Sequence, residues 1–355
     1  MYQGTTVSPV TSTDRSINDL ISQALMLGRA RISTMAYRFY QEPLCGPAAT
    51  AEVISRDETL AARFMTVANT IQHGAGISAM SMESATVRMG NDRTKSLALT
   101  FAMGRALYPI VGHVVGFGRL WYTALARGAL ARALAMHCDA RLAGPAFIAT
   151  AMQDVGTVFF AAARPESYLD LIERSSGSSI RLALLEWQAF NRNHIHLGLE
   201  VLSGWGLPSF VTDAIGRHHT NPPLSTSNDL GVRLWQIGYL IGTLPLGAEG
   251  DVETSSPSVS RIFSKCFGVS EDETAQLLQQ ALDEYEDVVA LFEPIIVPPQ
   301  SGAELFAPAA DALGVARPRV TRGTVESRQA PEALHTDRSI PPQLSLSGLF
   351  STVRS

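Results

Sequence analysis

The stretch Asp57-Glu-Thr-Leu60-Ala-Ala-Arg-Phe64-Met-Thr-Val67-Ala68-Asn69 decides the fold class. Asp57 is a strong N-cap residue, because its short carboxylate accepts from the free N–H groups of a first helical turn. Glu58 follows where a negative charge meets the positive end of the helix dipole. Leu60, Phe64, Val67 and Ala68 then fall at i, i+4, i+7 and i+8, which is one face of an α-helix. The reading extends in both directions. Ser81-Met-Glu-Ser84 opens a second unit that carries Met82, Ala85 and Met89 on one face and stops at Gly90. A third runs from about Leu120 to His137, where Ala-rich turns allow close helix packing. From Ile17 to about Leu291 the pattern is helical almost throughout, with no series of alternating β-branched runs and hairpin turns. The expected fold is all-α.

Composition narrows the function classes. The 355 residues are 46% hydrophobic and 17% charged, with a net charge of −5. No sustained basic run is present, so a nucleic-acid partner is not expected. Cys45, Cys138 and Cys266 lie far apart, form no CxxC, and fit a reducing compartment. The first residues, MYQGTTVSPVTSTDRS, lack the basic and apolar segments of a signal peptide. The least charged stretch, Ala106 to Gly118, contains His113 and falls short of the roughly 20 residues of a membrane helix. A cytoplasmic protein without membrane insertion is expected.

The ends read differently from the body. Residues 1–16 are polar and are expected to be a flexible leader. From Pro294 the chain carries Pro298, Pro299, Pro308, Pro318, Pro331, Pro341 and Pro342, with only Phe306 and Phe350 as aromatics. Residues 294–355 are therefore expected to be a Pro-rich disordered tail, in which Ala303–Val315 and Leu344–Val353 each form at most a transient helix. Within it, Leu344-Ser-Leu-Ser-Gly-Leu-Phe350 stands open between a spacer and a docking segment.

Two patterns bear on chemistry. Gly74-Ala-Gly76-Ile-Ser-Ala79 satisfies GxGxxA literally, but a helix and not a strand precedes it, so an interhelical turn is expected. Gln153-Asp154 lies at the end of the apolar run Ala146-Phe-Ile-Ala-Thr-Ala-Met-Gln-Asp-Val-Gly156; His194 and His196 follow Glu186, and His218-His219 end a helix that begins near Pro208. Such residues converge on a metal in some helical bundles. Spacing alone favours the plainer reading of satisfied polar groups and caps.

Six segments, taken in order, resemble the HDOD domain, a catalytically degenerate relative of the HD phosphohydrolases found in bacterial signalling proteins. They are Val53–Thr70, Ile77–Gly90, the helix carrying Trp121, Phe147–Gly156, Glu186 through Phe190 and His194 to Gly198 with Trp205-Gly-Leu-Pro208, and Ile215-Gly-Arg-His218-His219. The resemblance covers residues from about 17 to 240. It implies a bilobed multi-helix bundle with an HD-like degenerate core. The expected unit is 17–245, split into an N-terminal lobe (17–110) and an HD-like lobe (115–245), with a helical extension over 246–293.

The departures from that family of hydrolases set the functional expectation. The resemblance puts Thr123 at the early metal-ligand His and Gln153 at the His of the HD pair. No Asp stands in Leu234-Trp-Gln-Ile-Gly-Tyr239, where the last ligand is expected. Asp154, His194, His218 and His219 remain as remnant positions. Loss of strong ligands removes both donors and compensating charge, and hydrolysis needs metal-activated water in a complete constellation. The chain is expected to be no enzyme, to have no catalytic residue and no cofactor, and to bind a divalent metal weakly at most. It is expected to act on a signalling or regulatory protein by contact. Two other readings stand beside this one: a residual metal-dependent phosphohydrolase or phosphodiesterase, and a nucleotide sensor that uses a groove between the lobes. Arg63, Arg88 and Arg93 are candidate surface cations for an anionic partner or ligand, although an ordinary solvated helix face is the plainer reading of each.

Overall fold

The helix that opens at Asp57 forms as its sequence dictates. Asp57 Oδ1 accepts from Leu60 N–H at 3.2 Å, and Leu60, Phe64, Val67 and Ala68 are its buried residues. Burying each of the two large side chains contributes roughly 1.5–3 kcal/mol. The computed structural model describes residues 12–42, 45–70, 79–114, 116–176, 178–246, 263–292, 298 and 300–320. In chain order its helices are α1 (Ser12–Tyr40), α2 (Pro47–Ser55), α3 (Glu58–Thr70), α4 (Met82–Met89), α5 (Asn91–Val111), α6 (Phe117–Cys138), α7 (Ala143–Met152), α8 (Thr157–Ala163), α9 (Pro165–Ser175), α10 (Ser179–Phe190), α11 (His194–Gly204), α12 (Ser209–Gly216), α13 (Leu230–Thr243), α14 (Glu271–Phe292) and α15 (Gly302–Leu313). A 3₁₀ turn, Ala140–Leu142, joins α6 to α7. Among the described residues there is no strand, and the fold is all-α. The GxGxxA turn, but for Ala79, lies outside the described residues.

The middle of the bundle is α7. All ten of its residues are buried, and it packs on α5, α6, α12 and α13. Ala140–Ala163 is the one stretch among the described residues long and apolar enough to cross a membrane, yet 78% of its most apolar window is buried in the core. The two lobes share one contiguous hydrophobic core. Helix α1 bridges them, touching α2 and α5 on one side and α8 and α11 on the other. Trp205, fully buried, donates its indole N–H to the Ala24 carbonyl of α1 at 3.0 Å.

The ends depart from the sequence reading. Helix α1 begins at Ser12, so residues 12–16 belong to a helix and not to a leader; residues 1–11 lie outside the described residues. A polar first turn is compatible with a helix whose later residues, Ile17 and Ile21, reach the core. The stretch expected as a disordered tail holds α15. Its residues Leu305, Phe306, Ala309, Ala310 and Leu313 are buried, at spacings that form one helical face. Ser301 and Glu304 close a capping box, Phe306 meets Tyr285 edge-on at 5.9 Å, and Gly314 ends the helix at φ +70°. Averaged composition hid this local period. Residues 321–355, including Leu344–Val353, lie outside the described residues.

The extension is bound into the body. Helix α14 packs along α6 and also touches α3 and α5. Arg93, 9% exposed, donates to Glu284 at 2.9 Å and to Asp287 at 2.8 Å. Arg93 is thus a buried tie and not a surface cation. Arg63 donates to the Leu291 carbonyl at 3.3 Å and lies over the Phe101 ring, so it too is taken up by the fold.

Candidate functional site

The apolar helix α7 delivers Asp154 to the centre of the bundle. It ends at Met152, and Gln153-Asp154-Val155-Gly156 turns the chain into α8, with Thr157 N–H bonded to the Asp154 carbonyl at 3.0 Å. Gly156 permits the approach of the next element. A Cβ there would lie 1.9 Å from the backbone oxygen of His194, a distance no side chain tolerates. Asn193 caps α11 through His196 N–H at 3.2 Å, which sets His194 in the first turn and facing Asp154. His218 and His219 follow the end of α12, where His218 N–H bonds to Ile215 carbonyl.

The four remnant positions come together. One ligand-type atom from each of Asp154, His194, His218 and His219 lies within 4.8 Å of all the others. His218 Nε2 is 3.3 Å and His194 Nε2 3.6 Å from Asp154 Oδ1, and the His194 and His219 Nε2 atoms are 3.0 Å apart. His196 does not join them. It is exposed, bonds Asn193 Oδ1 at 2.6 Å and lies tilted against Trp187 at 5.2 Å.

An outer layer orients these rings. Glu186, with no exposure, accepts from Tyr168 O–H at 2.6 Å, His194 backbone N–H at 2.8 Å and His194 Nδ1 at 2.7 Å. His218 Nδ1 faces the Ile215 carbonyl at 2.6 Å. Both rings therefore turn Nε2 toward Asp154. Burial, reinforced by the Glu186 charge, drives Tyr168 well above its usual range.

Thr123 and Gln153 are also buried, at 2% exposure each, and the Gln153 amide lies against Gly242 of α13. One turn beyond Thr123 on α6, Arg127 places Nη1 2.5 Å from Asp154 Oδ2. A guanidinium occupies one oxygen of the carboxylate that the HD pair would offer to metal. Burial alone would raise the Asp154 carboxyl; hydrogen bonding from His218 and the charge of Arg127 outweigh it and hold the group well below the usual carboxylate range. Arg127 and Tyr168 escaped the sequence reading. Their partners lie 27 and 18 residues further along the chain, beyond the reach of any local pattern.

The donor set fits one divalent ion in part. Three imidazole nitrogens and one carboxylate oxygen are suitable ligands, and the outward Nδ1 bonds match the support that metal-bound histidines receive. The resemblance puts Thr123 and Gln153 where further imidazole ligands are expected; neither side chain offers one, and Arg127 pairs with the second oxygen of Asp154. The buried α13 side chain nearest the expected last ligand, Gln236, instead donates to the Pro223 and Ser225 carbonyls at 2.6 and 2.8 Å.

The histidines titrate in opposite senses. Burial and the neighbouring His218 push His219 down from 6.5 to about 3. For His194, burial acts downward, but the hydrogen bond and charge of Glu186 win and raise it. Raised His194 contributes stability that is full below pH 6.5 and lost as pH rises through its folded value. Depressed His219 withdraws stability as pH falls from about 6.5 toward 3, by at most about 1.4 kcal/mol per pH unit. With metal removed by chelation, the pair is expected to favour the fold most near pH 6.5. Histidine NMR at pH 5 should show His219 neutral and His194 charged; a charged His219 at that pH would contradict the geometry.

Comparison with known proteins bears on the fold. The chain is 18% identical to an HDOD domain protein of unknown function from Geobacter sulfurreducens, with a TM-score of 0.56 over 78% of this chain and 99% of that one. A candidate signal transduction protein from Marinobacter aquaeolei VT8 gives 0.55 at 18% identity, over 79% of this chain and 65% of that one. A candidate metal-dependent phosphohydrolase from Shewanella amazonensis SB2B gives 0.50 at 18% identity, over 79% of this chain and all of that one. At these identities the likeness is one of fold. An uncharacterized protein of Treponema pallidum is 25% identical over 171 residues, which is 48% of this chain and only 33% of that longer protein. The HDOD family model matches residues 31–221, more than half of the sequence, and this chain belongs to the HDOD domain family.

Proposed function

We propose that this protein is a non-catalytic regulatory module of bacterial signalling, which works in the cytoplasm by contact with a signalling or regulatory protein. The observation that carries the reading is the Arg127–Asp154 ion pair beside Thr123 and Gln153. In a hydrolytic centre the charge of that carboxylate serves the metal it holds. Here a fixed cation of the chain itself already neutralises it, and two neutral side chains replace imidazole donors. The module needs no cofactor, and a divalent ion at Asp154, His194, His218 and His219 is a weak guest. The relatives of like fold include one described for signal transduction, which supports the regulatory role.

Deletion of the gene and rescue by the Asp154→Asn variant tests this reading. Asparagine removes the metal-binding charge while keeping the side-chain shape. Full rescue of the deletion phenotype is expected. Failure to rescue, by a variant that folds and accumulates normally, would return the residual phosphohydrolase to first place.

A further inference from the structure

A small cavity of about 50 Å³ opens beside the ion pair, walled by α5, α6, α7 and α8. It holds on the order of four waters, the volume of one six-membered ring, and is too small for a nucleotide. Its walls are largely apolar, with Leu107, Phe117 and Val158 among them. The partly exposed Leu120, Ala124, Arg127 and Asp154 open it to solvent.

Three of the lining residues carry buried polar atoms without a partner: Trp121 Nε1, Thr123 Oγ1 and Arg127 Nε. Trp121 and Thr123 are 4% and 2% exposed. An unpaired buried donor costs about 1–3 kcal/mol, and Thr123 and Arg127, one turn apart on one face of α6, form an arrangement that a single ligand group would relieve. Indole and guanidinium nitrogens only donate, and the hydroxyl does either. The missing group is therefore an acceptor. Its charge follows from the wall: Asp154 repels an anion, Arg127 repels a cation, and together they are neutral.

We propose that this cavity is a binding site for a small, uncharged, mostly apolar molecule that carries one hydrogen-bond acceptor, such as a cyclic ketone. Its apolar body lies against Leu107, Phe117 and Val158 beside the Trp121 indole, and its oxygen accepts from the Thr123 hydroxyl and Arg127 Nε. Occupancy loads the same helix that carries Arg127. The site thus gives the domain an input next to its degenerate centre, which is not part of the regulatory reading above.

The test uses cyclohexanone on the full ¹⁵N-labelled protein, with the Trp121 indole N–H resonance as the readout, identified by its absence in Trp121→Phe. A saturable shift of that resonance is expected. Toluene, of similar size without an acceptor, should bind at least tenfold more weakly, and benzoate and cyclohexylamine should produce no saturable shift. Thr123→Val, which keeps the side-chain volume, should weaken cyclohexanone about tenfold. The probe comparison on the unsubstituted protein stands even if that variant fails to fold. No saturable shift with cyclohexanone would mean a cavity that holds water only and would overturn the proposal. Equal binding of toluene or of either charged probe would overturn it as well, as would a folded Thr123→Val with unchanged affinity.

Discussion

Glu186→Ala is expected to destabilise the protein by about 3–5 kcal/mol and to lower its melting temperature by about 10 °C. Glu186 has no exposure and accepts from three groups: Tyr168 O–H, His194 backbone N–H and His194 Nδ1. Its removal leaves three buried donors unpaired and a cavity between α9, α10 and α11. It also removes the charge that raises His194. Tyr168→Phe, which deletes only one of these bonds, should cost about 1 kcal/mol. Thermal unfolding of both variants checks the ratio. A Glu186→Ala loss no larger than that of Tyr168→Phe would show that the carboxylate does not organise the site.

Arg93→Ala should be about as severe, at about 3–5 kcal/mol, but in a different place. The guanidinium joins α5 to α14 through Glu284 and Asp287, which are 14% and 9% exposed. Without it, two nearly buried carboxylates lose the cation they share, while Arg132 Nε stays 3.7 Å from Glu284. Hydrogen exchange should then quicken across 271–292 well before it does in α7. Exchange in α14 unchanged from the unsubstituted protein would mean that apolar contacts alone hold the extension. Replacing the whole buried group with apolar residues of similar volume should recover much of the loss, because a buried ion pair is costly chiefly when broken.

These two residues also mark where sequence reading succeeds and fails. Helix periodicity is local, so Leu60, Phe64, Val67 and Ala68 announced their buried face within twelve residues. The four remnant positions were legible because each sits in a segment with its own pattern. Arg93 read as a surface cation because its partners lie 191 and 194 residues away, and nothing local announces them. Arg127 was silent for the same reason, since Asp154 follows it by 27 residues. Helix α15 was misread for the opposite reason. Its own spacing of Leu305, Phe306, Ala309, Ala310 and Leu313 was plain, but the prolines around it dominated the average. Pro308 stands on a less buried side of that helix and leaves the stripe intact.

Arg127 matters most to the account, since it pairs with the one carboxylate through which a hydrolytic metal would be held. The most direct test is the release of phosphate or nitrophenol from phosphomonoesters, phosphodiesters and cyclic dinucleotides by the purified protein, with saturating Mn²⁺, Mg²⁺ or Fe²⁺ supplied. The expected rate is indistinguishable from that of the Asp154→Ala variant with every metal. Metal-dependent turnover that disappears in Asp154→Ala would contradict the account and make this chain a working phosphohydrolase.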